Sequence, residues 1–134
     1  MREKLESAKI RLTRNPGFNL IDGFRVFDTN GEGAISSYQI VEGLRSVMGI
    51  QVKQSDVRAF MNVFDKDGDG FLKYTEYCDA FLPLDNEQAA TLASKPPIHQ
   101  DENVDWTNSL SYEVKADFAQ VWQTHFNICA NLNL

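Results

Sequence analysis

Residues 65–76 read Asp65-Lys66-Asp67-Gly68-Asp69-Gly70-Phe71-Leu72-Lys73-Tyr74-Thr75-Glu76, and this spacing is that of a loop built to wrap a hard cation. Calcium takes about six to eight oxygen ligands, and a twelve-residue loop supplies them from positions 1, 3, 5, 7, 9 and 12. Asp65, Asp67 and Asp69 fill the first three of these. Phe71 stands at position 7, where the backbone carbonyl is the donor, and Glu76 at position 12 brings both carboxylate oxygens. Lys73 at position 9 has no side-chain oxygen, so a water is expected to complete the shell there. Gly70 at position 6 permits the positive φ of a sharp turn. A merely acidic, solvated turn would need none of these residue types at fixed places, so the stretch reads as a calcium site.

The pattern recurs 37 residues upstream, and the recurrence defines the fold. Phe24-Arg25-Val26-Phe27-Asp28-Thr29-Asn30-Gly31-Glu32-Gly33-Ala34-Ile35 aligns with Met61-Asn62-Val63-Phe64-Asp65-Lys66-Asp67-Gly68-Asp69-Gly70-Phe71-Leu72. Each copy reads as apolar helix, Asp- and Gly-rich loop, apolar helix. Leu20, Phe24 and Phe27 recur at helical spacing before the first loop, and Ile40, Leu44 and Met48 after it, with Gly49 as a stop. Val57, Phe60, Met61 and Phe64 lead into the second loop from a helix that Ser55 is expected to start. Pro83 ends the helix that follows, after Phe81 and Leu82.

The first loop departs from the pattern. In Asp28-Thr29-Asn30-Gly31-Glu32-Gly33-Ala34-Ile35-Ser36-Ser37-Tyr38-Gln39, the donors would be Asp28, Asn30, Glu32 and the Ala34 carbonyl. Gln39 at position 12 offers one oxygen where a carboxylate offers two, and it removes a charge. Ligand-position carboxylates number two here, Asp28 and Glu32, against four in the second loop. Charge count tunes affinity over decades, so the first loop is expected to be weak or empty. Ser36-Ser37-Tyr38-Gln39 also fits a capping box, in which Gln39 reaches back to the Ser36 N–H and holds the loop's shape without an ion.

These residues resemble the EF-hand superfamily over about residues 18–82, and the paired motif is similar to lobes of calmodulin, centrin and troponin C. The resemblance implies an all-α fold, in which a paired EF-hand lobe with a short β-bridge at Ile35 and Leu72 carries flanking N- and C-terminal amphipathic helices. It implies a calcium sensor or adaptor that docks on an amphipathic helix of a protein partner, with Mg²⁺ a candidate occupant at rest. Met48, Met61, Phe60, Phe64 and Phe81 would line the groove, or equally form the core of a closed lobe. With two loops and one lobe, the chain could not clamp a target from both sides. The lead-in Ala8-Lys9-Ile10-Arg11-Leu12-Thr13-Arg14 looks like that of calcyphosine-type and axonemal EF-hand proteins. That likeness points to the alternative of a calcium-insensitive structural subunit in a cytoskeletal or ciliary assembly.

Around the pair (16–83), the sequence divides into a basic N-terminal helix (1–15), a linker with a possible short helix at 85–93 (84–110) and a C-terminal amphipathic helix (111–134). Leu5, Ala8 and Leu12 share one face of the first helix; Val114, Phe118, Val121, Trp122, His125, Phe126 and Cys129 share one face of the last. That last helix either occupies the lobe's own groove until a partner displaces it, or is permanently packed. Net charge is −6, with +3 on residues 1–14 and −9 on the remaining 120. An acidic chain is a poor nucleic-acid binder, while the basic arm is either a contact for an acidic surface or a solvated helix.

The N-terminal run carries charges where a leader needs an apolar stretch, position 2 is Arg rather than Gly, and no segment has the ~20 apolar residues of a span. Cys78 and Cys129 form no metal-type cluster and read as reduced thiols, which suits a cytoplasmic protein. His99 lies in the linker without a nucleophile pointed to it. His125 and Cys129 are one helical turn apart, a spacing zinc can use, but two ligands do not make a site. Nothing assembles a catalytic constellation, and a non-enzymatic module is expected.

Overall fold

The computed structural model describes residues 2–99 and 104–132. Among them run seven helices and two short strands. The first helix, α1 (Arg2–Arg14), ends where Asn15 and Pro16 turn the chain. Next, α2 (Leu20–Arg25) is opened by Asn19, whose side chain accepts the Asp22 N–H at 2.8 Å. The first loop leads into β1 (Ala34–Ser36) and α3 (Ser37–Met48). Gly49 closes α3 in the left-handed conformation (φ 68°): its N–H reaches the Arg45 carbonyl at 3.2 Å, the bond of an αL cap, and Ile50 N–H reaches the Leu44 carbonyl at 2.9 Å.

Helix α4 (Gln54–Phe64) starts earlier than Ser55, the residue expected to open it. The cap is Lys53, in extended conformation: its carbonyl accepts from Asp56 and Val57, and its side chain, which carries only donors, makes no cap bond. The second loop runs into β2 (Phe71–Lys73) and α5 (Tyr74–Phe81). Asp85 caps α6 (Asn86–Ala93), and α7 (Tyr112–Leu132) completes the chain.

The two strands pair antiparallel with Ile35 opposite Leu72. Both side chains are fully buried, so the ladder ties the two loops together over the core. Below it, α7 lies along the lobe and packs against α1, α3 and α4. Its Trp122 ring sits between Phe27, Phe60 and Phe81, at centroid distances of 5.2, 5.3 and 4.8 Å. All four rings are fully buried. Burying one such side chain contributes about 2–3 kcal/mol, so this cluster is the chief tie between α7 and the lobe. Gly43 of α3 makes room for it: a β-carbon there would stand 2.3 Å from the Phe27 ring.

The path from α6 to α7 is also held. Lys95 Nζ donates to the carbonyls of Thr13, Asn15 and Phe18, which satisfies the C-terminal end of α1. Buried Asp22 accepts the N–H groups of Ile98 (2.9 Å) and His99 (3.3 Å) through Oδ2. Arg25 donates to the His99 carbonyl at 3.0 Å and lies 5.6 Å from the centroid of the Trp106 ring. None of these partners is marked by a local sequence pattern.

Candidate metal centre

The two loops share one backbone design. Gly31 and Gly33 have φ of 66° and 80°; Gly68 and Gly70, at the same loop positions, have 66° and 83°. In each loop the first aspartate turns its carboxylate inward onto backbone N–H groups. Asp28 accepts from Glu32 (3.0 Å) and Gly33 (2.9 Å), and Asp65 from Gly68 (3.2 Å) and Gly70 (2.8 Å). Positive φ at position 6 aims that N–H at the carboxylate of position 1, and an L side chain would strain it.

Position 12 bridges the same two places in both loops, with different chemistry. Glu76 is buried; its Oε1 accepts the Lys73 N–H at 2.9 Å and its Oε2 the Lys66 N–H at 2.8 Å. Gln39 accepts the Ser36 N–H at 2.8 Å through Oε1, and its Nε2 donates to Thr29 Oγ1 at 3.2 Å. Ser36 Oγ accepts the Gln39 N–H at 3.2 Å, so the capping box is complete. Positions 2 and 9 are joined to position 12 in each case.

The donor set of the second loop suits calcium. Asp65, Asp67, Asp69, Glu76 and the Phe71 carbonyl lie on a single turn whose backbone already has the required fold. Among the described residues no three carboxylate, His or Cys side chains converge on one point, and the hydrogen bonds say why. Asp65 and Glu76 face backbone N–H groups. Asp69 Oδ1 accepts from Phe71 N–H at 3.0 Å, which holds its carboxyl below the usual range. Asp67 is ion-paired with the Lys73 ammonium, whose own pKa that hydrogen bond raises. Lys73 is thus more than a non-ligand at position 9: it brings a positive charge to a position-3 ligand. Its basic character at a ligand position was the one sequence signal for this contact.

His125 and Cys129 line the same cleft, but the imidazole is already engaged. His125 Nε2 stands 2.6 Å from the Ala80 carbonyl, a bond that requires an Nε2–H, and the ring is edged by Phe60, Phe64 and Phe81. Burial pushes its pKa down to about 4. It is a neutral core histidine bridging α7 to α5, not half of a zinc site. His99 Nε2 meets the Ser109 carbonyl at 3.1 Å and its ring edges Trp106, both within the segment that precedes α7.

A helix–loop–helix pair joined by a two-stranded ladder, with oxygen donors at fixed loop positions, defines the EF-hand class. Residues 18–82 match the family model of the EF-hand domain pair, and the chain belongs to the EF-hand superfamily. It is similar to calmodulin-like proteins and polcalcins. Polcalcin Cup a 4 of Hesperocyparis arizonica is 37% identical over 76 residues, covering 57% of this chain and 46% of the relative. Calmodulin-like protein 9 of Arabidopsis thaliana is 40% identical over 58 residues, 43% of this chain and 38% of the relative. Polcalcin Nic t 1 of Nicotiana tabacum is 43% identical over 54 residues, 40% of this chain and 62% of the relative. The chain thus spans less than two thirds of each of these relatives. No solved structure gives a significant match. Among the described residues, no helix is long and apolar enough to cross a membrane.

Proposed function

We propose that the protein is a cytoplasmic calcium sensor and adaptor, whose second loop takes one ion and whose lobe then offers its apolar groove to an amphipathic helix of a protein partner. Asp65, Asp67, Asp69, Glu76 and the Phe71 carbonyl would hold the ion. It supplies the charge that offsets four carboxylates on one turn. Mg²⁺, which needs stricter octahedral geometry, is the competitor at rest. The first loop stays closed on Gln39 without an ion.

The observation that carries this reading is the placement of α7. The groove between the two helix–loop–helix units accepts an amphipathic helix, and the chain's own α7 fills it with Trp122, Phe118 and Phe126. Glu76 belongs to α5, and the same helix carries Phe81, which touches Trp122 at 4.8 Å. A ligand shifts a conformational equilibrium only by its differential affinity for the two states. Re-aiming Glu76 from the N–H groups of Lys66 and Lys73 towards an ion is the difference that α5 can transmit to α7.

The test is calorimetric titration with calcium, with and without Mg²⁺, on a Trp106→Phe chain whose remaining tryptophan is Trp122. One bound ion and a red shift of Trp122 emission are expected, followed by calcium-dependent binding of an amphipathic peptide. A stoichiometry of zero would overturn the reading. One ion with unchanged emission would favour the second reading, in which α7 is a permanent part of the lobe and the module is a structural subunit. The full burial of Trp122 is the observation on that side.

A further inference from the structure

We propose that the cleft between α1, α4 and α7 is a binding site for an amphiphilic carboxylate, an unbranched apolar chain with an anionic head. The cleft has a volume of about 350 Å³, at the small end of ligand pockets. Its walls are Leu5 from α1, Val63 and Phe64 from α4, and Ile128 from α7, with Leu84 beside them. Leu84 is 78% exposed and Val63 42%, so the mouth is apolar and open. The deep end is polar: Lys9, 6% exposed, and His125, 2% exposed, line it.

Lys9 sets the head group. An ammonium carries three N–H donors, and among the described residues the hydrogen bond recorded for Nζ is to the Leu82 carbonyl, a long one at 3.3 Å. Glu6, on the same helix, also lines the cleft and attracts the Lys9 ammonium, but its two oxygens are taken up by the N–H groups of Leu84 (2.8 Å) and Asp85 (3.0 Å), and no hydrogen bond joins it to Lys9 among the described residues. His125, on α7, is neutral, and none of the α4 residues lining the cleft is charged. Burial lowers the Lys9 pKa, so desolvation outweighs the attraction of Glu6. A buried cation with unused donors at the end of an apolar cleft is electrostatically incomplete. A carboxylate completes it, a cationic head is repelled, and a neutral alcohol recovers only part of the hydrogen bonding. The occupant would touch α1, α4 and α7 at once, so its binding energy adds to the α7-docked state.

The experiment compares decanoate, decanol and decyltrimethylammonium, each below its aggregation threshold, on the full chain in excess chelator. Working without calcium separates this inference from the sensor reading. Decanoate is expected to bind and raise the unfolding temperature. Decanol should bind about tenfold more weakly, the loss of one charge-assisted bond, and the ammonium amphiphile not at all. Lys9→Met should erase the preference for decanoate, and its fold is checked by near-ultraviolet circular dichroism. Leu84→Glu, at the exposed mouth where folding is not at stake, should weaken all binding. Equal affinity for decanoate and decanol, undiminished decanoate binding by Lys9→Met, or no binding to the unaltered chain would each overturn the proposal.

Discussion

The side-chain amide of Gln39 donates to Thr29 Oγ1 at 3.2 Å, closing the first loop across ten residues where Glu76 closes the second through a backbone N–H. An amide carries its own donor and acceptor, so it can join positions 2 and 9 and keep the loop folded without an ion. Replacing Gln39 by Glu restores the bidentate donor on a backbone already in the right conformation. The expected outcome is a calcium stoichiometry that rises from one to two by calorimetry. A value that stays at one would place the defect in Asn30 or Glu32 instead.

Lys73 is paired with a carboxylate at a ligand position of the second loop. Its ion pair with Asp67 is half exposed, and such pairs are weak individually. Removing the charge in Lys73→Gln frees Asp67 and makes the loop more negative. Calcium affinity should rise by about two- to fivefold, read by titration against a chelator of known affinity. An unchanged or lower affinity would mean that Lys73 does not oppose the ion.

Acid should loosen α7. The pKa of His125 in the folded chain is about 4, against an ordinary value of 6.5. Between these values the unfolded chain binds more protons than the folded one, so stability rises with pH across the window. The contribution is fully present above pH 6.5 and is lost as pH falls towards 4, with a ceiling on the order of 3 kcal/mol. Denaturant unfolding at pH 7 and 4.5 should show the loss. His125→Gln, which keeps a donor for the Ala80 carbonyl but does not titrate, should show a smaller one. Equal pH dependence in the two chains would rule out His125 as the cause.

Gly43→Ala tests the packing of the shared core. The added β-carbon would meet the Phe27 ring at 2.3 Å, and Phe27 in turn packs on Trp122 at 5.2 Å. Overpacking of this kind costs about 1–3 kcal/mol, which outweighs the gain in helix propensity of roughly 1 kcal/mol. The unfolding midpoint should fall, with a change in Trp122 emission. A variant more stable than the unaltered chain would show that Phe27 can move aside freely.

The sequence by itself determined what depends on short-range spacing. The twelve-residue loops, the glycines at positive φ and the Ser36–Gln39 capping box each follow from residue types a few positions apart, because backbone hydrogen bonding and sterics decide them locally. The Ile35–Leu72 pairing, across 37 residues, was expected only from the likeness to EF-hand pairs. The amphipathic stripe from Val114 to Cys129 was equally legible, but a stripe says only that something covers it. Tertiary structure alone decided that the cover is this chain's own lobe, with Trp122 among Phe27, Phe60 and Phe81 and His125 bonded to Ala80. It also decided that Asp22 and Lys95 hold the path to α7, and that Lys73 turns back onto Asp67. Helix docking is chosen by shape and burial between surfaces far apart in the chain, where many partners satisfy the same apolar pattern and only the assembled fold selects one.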